Sequence, residues 1–123
     1  MYDYKKYTVW NKAHLLVLKT YNITATFPKS ETYNLTSQIN RAVLSIPTNI
    51  AEGCGRNGQK EFIRFLNISS GSSNELDYLF LVSKDLGLIS EEDYVNLVNE
   101  LTEIRKMLYA LIQKIAATFN YKQ

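Results

Sequence analysis

The sequence predicts an all-α protein, an antiparallel up-down-up-down four-helix bundle that forms one domain over residues 1–123. Apolar residues recur at alternating spacings of three and four along most of the chain, which is the period of helices that bury one face. Short breaks containing glycine, proline or serine separate these segments, and short connections favour antiparallel neighbours in a bundle. The predicted helices cover about residues 9–26, 35–54, 59–86 and 91–118.

The first two predicted helices each carry an apolar stripe. The inward residues of the first are predicted to be Trp10, Val17, Leu18 and Tyr21, and the helix stops at the stretch 27–30. The second contains Pro47 within its stripe. Proline lacks an amide hydrogen and crowds the carbonyl four residues earlier, so the sequence predicts a kink there.

The third predicted helix carries an unusual run of small polar residues, Ser69 to Ser73. Within this run Gly71 alone costs a helix about 1 kcal/mol relative to alanine. A sequence accepts that cost where backbones approach closely or where hydroxyls satisfy buried polar groups, so the run predicts tight packing against segment 45–53 of the second helix. The motif Gly-Lys-Ser/Thr of a phosphate-binding loop is absent.

The fourth predicted helix has well-marked limits. Gly87 can end the preceding helix in the left-handed conformation, and Ser90 can cap the next one. Apolar residues flank the seam of the fourth helix at Val98, Ile112 and Phe119. This apolar surface is wider than the core of one bundle needs, which predicts a homo-oligomer.

The composition is that of a folded protein, with 46% hydrophobic and 21% charged residues. No apolar run is long enough for a membrane span or a signal peptide, and the single cysteine cannot form an internal disulfide, so we expect a cytoplasmic protein without a membrane partner. The net charge of +2 divides unequally: residues 1–74 carry +5 and residues 75–123 carry −3. A basic face and an acidic face are therefore expected, suited to an anionic partner or to self-association.

Candidates for catalysis or metal binding are few. His14 lacks the clustered ligands of a metal site and is interpreted as a partly buried structural residue. Cys54 lacks an identifiable base and is interpreted as a small packing residue. Glu52 and Glu75 are interpreted as carboxylates at helix–helix contacts, paired with basic or amide groups, rather than as an acid–base pair. The sequence predicts no enzyme, no metal and no cofactor.

The basic residues of the first three helices form the candidate nucleic-acid-binding set. Those that we expect to contact phosphates are Lys12, Lys19, Arg41, Arg56, Lys60 and Arg64. Tyr2, Tyr4, Tyr7 and Tyr33 are expected to be exposed nearby, where their rings can stack on bases. A solvated charged surface without a partner is the alternative interpretation.

Four segments carry a resemblance to a known family: 35–42 (Leu-Thr-Ser-Gln-Ile-Asn-Arg-Ala), 45–53 (Ser-Ile-Pro-Thr-Asn-Ile-Ala-Glu-Gly), 61–66 (Glu-Phe-Ile-Arg-Phe-Leu) and 71–76 (Gly-Ser-Ser-Asn-Glu-Leu). They resemble the four-helix bundle proteins encoded in intervening sequences of bacterial 23S rRNA genes, formerly labelled S23 ribosomal proteins. That family is similar to the accessory variability protein of diversity-generating retroelements, a ring-shaped homopentamer that binds nucleic acid and reverse transcriptase.

The resemblance implies a pentameric bundle without enzymatic activity. It also implies signature positions with structural roles, which are Pro47, Asn49, Glu52, Gly53, Arg56, Gly71, Ser72 and Glu75. The first functional hypothesis is an oligomer that binds nucleic acid, RNA in particular. The second is a protein–protein adaptor or accessory scaffold that makes no direct contact with nucleic acid.

Overall fold

Helices account for most of the molecule. The computed structural model describes the backbone of residues 2–122 and the side chains of residues 2–118. Its helices are α1 (Thr8–Thr24), α2 (Leu35–Cys54), α3 (Gln59–Asp85) and α4 (Glu91–Lys122), and short 3-10 turns precede α1 and α2. No strand occurs in the described residues. The all-α prediction is confirmed; α1 ends two residues earlier than expected, α3 one residue earlier, and α4 continues past residue 118.

Successive helices run in opposite directions. On α1 and α4, the ammonium group of Lys12 pairs with Glu103, whereas Lys19, further along α1, pairs with Glu100, which lies earlier on α4. Between α2 and α3, Ser45 contacts Ser72, while Gly53 lies against Phe62. Within the described residues, α1 packs on α2 and α4, and α3 packs on α2 and α4, but α1 does not contact α3. The α1–α4 and α2–α3 pairs therefore form opposite sides of the bundle.

The core is one cluster of buried side chains from all four helices. On α1 the buried residues are Val9, Ala13, Leu16, Val17, Thr20 and Thr24. The predicted inward face of α1 was therefore largely wrong, because Trp10 is half-buried and Leu18 and Tyr21 are exposed. Two apolar stripes compete on this helix, and the one richer in small residues faces the core.

The small polar residues of α3 pack against α2, as predicted. The Ser69 hydroxyl donates to the Ile46 carbonyl oxygen at 2.6 Å, and the hydroxyls of Ser45 and Ser72 lie 2.8 Å apart. The expectation for Gly71 was wrong, because this residue is exposed and a Cβ there would meet nothing within 4 Å.

The glycine that permits the close approach is Gly53. A Cβ on this residue would lie 2.9 Å from Cδ1 of Phe62 and 3.0 Å from Cβ of Phe65. Helix α2 continues through Pro47, which is buried. The contact with α3 therefore depends on a glycine contributed by α2 and on serines contributed by α3.

Both predicted signals around α4 are confirmed. Gly87 has φ +77 after the last turn of α3. The hydroxyl oxygen of Ser90 accepts a hydrogen bond from the Asp93 amide at 3.0 Å. Of the flanking apolar residues, Val98 and Ile112 are half-buried, and Phe119 lies outside the described side chains.

Candidate nucleic-acid interface

Two of the predicted phosphate contacts lie on the side of the bundle formed by α1 and α4. The Lys12 ammonium lies 2.9 Å from Glu103 and that of Lys19 lies 2.7 Å from Glu100. These pairs join the basic first part of the chain to its acidic last part. The expectation of a basic face and an acidic face was therefore wrong for this side, where the charges neutralise each other.

Charge is instead separated between the two ends of the bundle. The start of α1, the end of α2 and the start of α3 lie together, because the Tyr2 amide donates to the Cys54 carbonyl oxygen and only four residues separate α2 from α3. We call this the basic end. Its charged residues are the bases Lys5, Lys6, Arg56, Lys60 and Arg64 and the acids Asp3, Glu52 and Glu61.

The opposite end carries the opposite charge. It contains the end of α1, the turn before α2 and the α3–α4 connection. Its charged residues are the acids Glu31, Asp85, Glu91, Glu92 and Asp93 and the bases Lys29 and Lys84. We call this the acidic end. The bundle is thus dipolar along its long axis.

An aromatic ring organises the arginines of the basic end. The guanidinium carbons of Arg56 and Arg64 lie 5.0 and 4.4 Å from the ring centroid of the buried Phe65. Arg64 also donates to Glu61, and this hydrogen bond lowers the pKa of the Glu61 carboxyl. Arg56 lies 3.8 Å from Glu52. Both guanidinium groups therefore lie near one ring at the surface, and planar guanidinium groups suit phosphate oxygens.

The start of α3 lies between these arginines. The N-cap residue of α3 is Gly58, which has φ +88 and forms no side-chain cap hydrogen bond. The first amides of a helix are unsatisfied in the absence of a cap, and the helix dipole places positive charge there. Lys60, in this first turn, is exposed and forms no ion pair with a described side chain. This site combines backbone donors with three basic side chains.

Arg41 lies elsewhere, in an open groove of about 750 Å³ between α2 and α3. We call it the α2–α3 groove. Its lining residues are Gln38, Arg41, Ala42, Leu44, Ser45, Thr48, Asn49, Ser72 and Glu75. Three of the signature positions, Asn49, Ser72 and Glu75, thus meet in one groove, whereas Lys12 and Lys19 face the opposite side of the bundle.

Two interpretations of acidic and imidazole side chains were wrong. Glu75 is exposed and forms no ion pair with a described side chain. Glu52 is exposed as well, but it does pair with a basic group, because it lies 3.8 Å from Arg56. His14 is exposed too, with its ring stacked on Trp10 at a centroid distance of 5.1 Å. Other residues of α1 fill the side that faces the core, so the His14 ring lies outside it.

The chemistry available to Cys54 is restricted by burial. Its side chain is fully buried, and this burial raises the pKa of the thiol to about 11. At neutral pH the group is protonated and therefore a poor nucleophile. Among the described residues, no group of three or more His, Cys, Asp and Glu side chains is placed to hold a metal ion. None of the described helices combines the length and apolar character that crossing a bilayer requires.

Sequence reasoning missed several residues of these surfaces. Lys5 and Lys6 belong to the basic end only because the backbone bond to Cys54 brings the N-terminal segment there. Tyr4 and Tyr7 were expected to be exposed but are half-buried, and the Tyr7 ring lies edge-on to Phe62 at 5.8 Å. A period-based pattern gives no signal for such a segment.

The outer surface of α1 is unusually apolar. Leu15 is 61% exposed, Leu18 is 51% exposed and Tyr21 is 42% exposed. We call these three residues the α1 apolar surface. On α4, Tyr109 is exposed beside Lys106 and Arg105.

The fold defines the class of the protein, an all-α protein of four helices. A family model described as 23S rRNA-intervening sequence protein matches residues 5–110. The chain belongs to the 23S rRNA-intervening sequence protein family, as the resemblance of its motifs indicated.

A solved structure supports the same assignment. It comes from Bacteroides thetaiotaomicron and is described as a protein with unknown function from the S23 ribosomal protein family. The two chains share 27% sequence identity with a TM-score of 0.80, over 85% of this chain and 95% of that one. No match is found among curated proteins.

Proposed function

We propose that this chain is a non-enzymatic, cytoplasmic RNA-binding protein that acts as a homo-oligomer. The observation that carries the proposal is the basic end, where Arg56 and Arg64 stack on Phe65 beside the uncapped start of α3. Phosphate contacts of this kind position a nucleic acid without reading its sequence. The name of the family, which refers to 23S rRNA, favours RNA over DNA.

The six predicted contact residues take unequal parts in this proposal. Arg56, Lys60 and Arg64 bind phosphates at the basic end. Lys12 and Lys19 contribute less, because they lie on the α1–α4 side, where glutamates neutralise them, and away from the start of α3. Arg56 and Arg64 also pair with glutamates, but they lie beside Lys60 and the first amides of α3. Arg41 acts separately, in the α2–α3 groove.

The test compares two double variants with the same change in charge. Arg56→Gln with Lys60→Gln removes two of the proposed phosphate contacts from the basic end, and Lys12→Gln with Lys19→Gln removes two cations from the α1–α4 side. Binding of a fluorescently labelled structured RNA is measured by anisotropy over a range of salt concentrations. The first variant should reduce the slope of log affinity against log salt by about 1.4, because each phosphate contact contributes roughly 0.7 for single-stranded segments. The second should change the slope little.

Two results would contradict the proposal. The first is that the wild-type protein binds neither structured RNA nor duplex DNA at low salt. The second is that the two double variants lose affinity equally. Equal loss would mean that net charge alone, rather than the arrangement at the basic end, determines binding.

The proposed oligomer uses the α1 apolar surface. Exposed apolar patches mark contact surfaces, and the α1 apolar surface is more exposed than Val98 and Ile112 on the α4 flank from which the sequence predicted assembly. We propose five subunits, as the resemblance implies, so light scattering should give five times the subunit mass of 14.2 kDa. Leu18→Glu should yield monomers, whereas Leu86→Glu, at a residue 62% exposed in the α3–α4 connection, should leave the mass unchanged.

The second candidate function is a protein–protein adaptor. The observation that favours it is the same α1 apolar surface, which a foreign protein could cover instead of another copy. A monomeric mass for the wild-type protein, together with no RNA binding at low salt, would favour the adaptor over the RNA-binding oligomer.

A further inference from the structure

The α2–α3 groove holds more polar chemistry than packing requires. Asn49 uses both hydrogens of its amide nitrogen on Ser45, one on the carbonyl oxygen at 2.8 Å and one on the hydroxyl at 2.9 Å. The Ser45 hydroxyl in turn contacts Ser72 across the helix boundary. Asparagine and serine are mediocre helix formers. This chain of hydrogen bonds forms a fixed floor for the groove.

The charged groups of the groove are left free by this floor. Arg41 and Glu75 line the same groove, yet neither forms an ion pair or a hydrogen bond with any side chain in the described part of the protein. Gln38 and Thr48 are exposed beside them. The groove therefore presents a guanidinium donor and a carboxylate acceptor over a hydrogen-bonded base.

The balance of charge limits what can bind there. A phosphate is attracted by Arg41 but repelled by Glu75, whereas a cation is attracted by Glu75 but repelled by Arg41. A neutral, polar group with separate donor and acceptor edges satisfies both side chains. In an RNA the groups of this kind are the unpaired bases, which proteins read by hydrogen bonds to their edges.

The bases differ in the edges that they offer. A carboxylate needs two adjacent donors and a guanidinium needs two adjacent acceptors for paired hydrogen bonds. Guanine offers both pairs, with N1–H and N2–H₂ as donors and O6 and N7 as acceptors. Adenine, cytosine and uracil each lack at least one of the two pairs. The volume of about 750 Å³ is large enough for a nucleotide.

We propose that the α2–α3 groove binds an unpaired guanine base of RNA, with Glu75 accepting from its Watson–Crick edge and Arg41 donating to O6 and N7. The inference rests on the proposed RNA-binding function and adds base selectivity to it. The basic end supplies affinity through phosphates, and the groove supplies selectivity.

The experiment uses RNA hairpins that share one stem and differ in a single loop nucleotide. The loop is all uridine in the reference hairpin, and one uridine is replaced by guanosine, inosine or adenosine in the others. The wild-type protein should bind the guanosine hairpin about tenfold more tightly than the uridine hairpin, since a good bidentate pair discriminates by roughly 5-fold to 150-fold. Inosine lacks the N2 amino group and should be intermediate, and adenosine should behave as uridine.

Variants assign the preference to the groove. Glu75→Gln and Arg41→Gln should each reduce the guanosine-to-uridine ratio to near one, and Glu75→Gln should do so without weakening the uridine complex more than twofold. Lys60→Gln is the matched control, because it should weaken both complexes equally and keep the ratio. All three positions are exposed, so the variants should fold, which circular dichroism checks.

The outcomes separate this inference from the proposed function. Equal binding of all hairpins by the wild-type protein overturns the guanine site and leaves RNA binding intact. No binding of any hairpin at low salt overturns both. A guanosine preference that persists in Glu75→Gln would mean that recognition lies elsewhere. A changed oligomer mass in Glu75→Gln would mean that the groove is a contact between copies. Either result overturns the inference.

Discussion

Gly53 and Gly71 lie in adjoining helices but should respond oppositely to the same substitution. Alanine at residue 53 places a methyl group 2.9 Å from Cδ1 of Phe62 and 3.0 Å from Cβ of Phe65. The Phe65 Cβ is attached directly to the α3 backbone, so relief of the clash requires α3 to move away from α2. At residue 71 the added methyl group meets nothing within 4 Å.

The magnitudes follow from two opposing contributions. Alanine is favoured over glycine in a helix by about 1 kcal/mol, and this gain applies to both variants. Overpacking a tight contact costs about 1–3 kcal/mol, and this cost applies to Gly53→Ala alone. We expect Gly71→Ala to raise the free energy of unfolding by about 1 kcal/mol and Gly53→Ala to lower it by a similar amount.

Urea unfolding followed by far-UV circular dichroism, at one protein concentration, measures both changes. In thermal unfolding of the same two variants, the melting temperatures should differ by roughly 8 °C, since 1 kcal/mol corresponds to about 4 °C for a domain of this size. Changes of the same sign and size in the two variants would refute the reasoning. That result would mean that the α2–α3 contact adapts to a methyl group, and that Gly53 is not needed for close approach.

Three further predictions concern buried groups. Thr20→Val should stabilise the protein by about 1 kcal/mol in urea unfolding, because the buried Thr20 hydroxyl has no hydrogen-bond partner among the described residues. Ser69→Ala should destabilise it by about 1 kcal/mol, because the bond to the Ile46 carbonyl is lost; an unchanged urea midpoint would show that water or a shift of α3 compensates. Folding raises the pKa of the Cys54 thiol from 9.0 to about 11. The neutral thiol therefore stabilises the folded state fully below pH 9, and this stabilisation is lost as the pH rises toward 11. The difference in urea midpoint between wild type and Cys54→Ala should therefore narrow over that range, and a constant difference would contradict the burial argument.

The sequence was most informative where a local signal sets a helix end. Leu35 and Cys54 are the predicted limits of α2, and Ser90 and Gly87 act as the predicted cap and stop. These features depend on a few neighbouring residues, whose backbone preferences are strong. Period alone could not choose between the two apolar stripes of α1, because the choice depends on the shapes of α2 and α4, which lie far away in sequence.

The candidate surfaces were predictable only in part. The proximity of Lys60 and Arg64 follows from helical spacing, whereas Arg56 lies in the α2–α3 connection and the fold brings it to the same ring. The pairing of Lys12 with Glu103 joins residues far apart in the chain, and no local pattern reveals it. For the same reason, the charge of each half of the chain was predictable, but its cancellation on the α1–α4 side of the bundle was not.

Separation of charge along the long axis has a consequence for assembly. Two copies lying side by side in the same direction bring like ends together, so a closed ring of parallel subunits concentrates positive charge on one rim and negative charge on the other. Repulsion within each rim opposes ring closure, and apolar contacts on the sides must exceed it. A polyanion that covers the positive rim removes part of this repulsion, so ring stability and polyanion binding should reinforce each other by thermodynamic linkage.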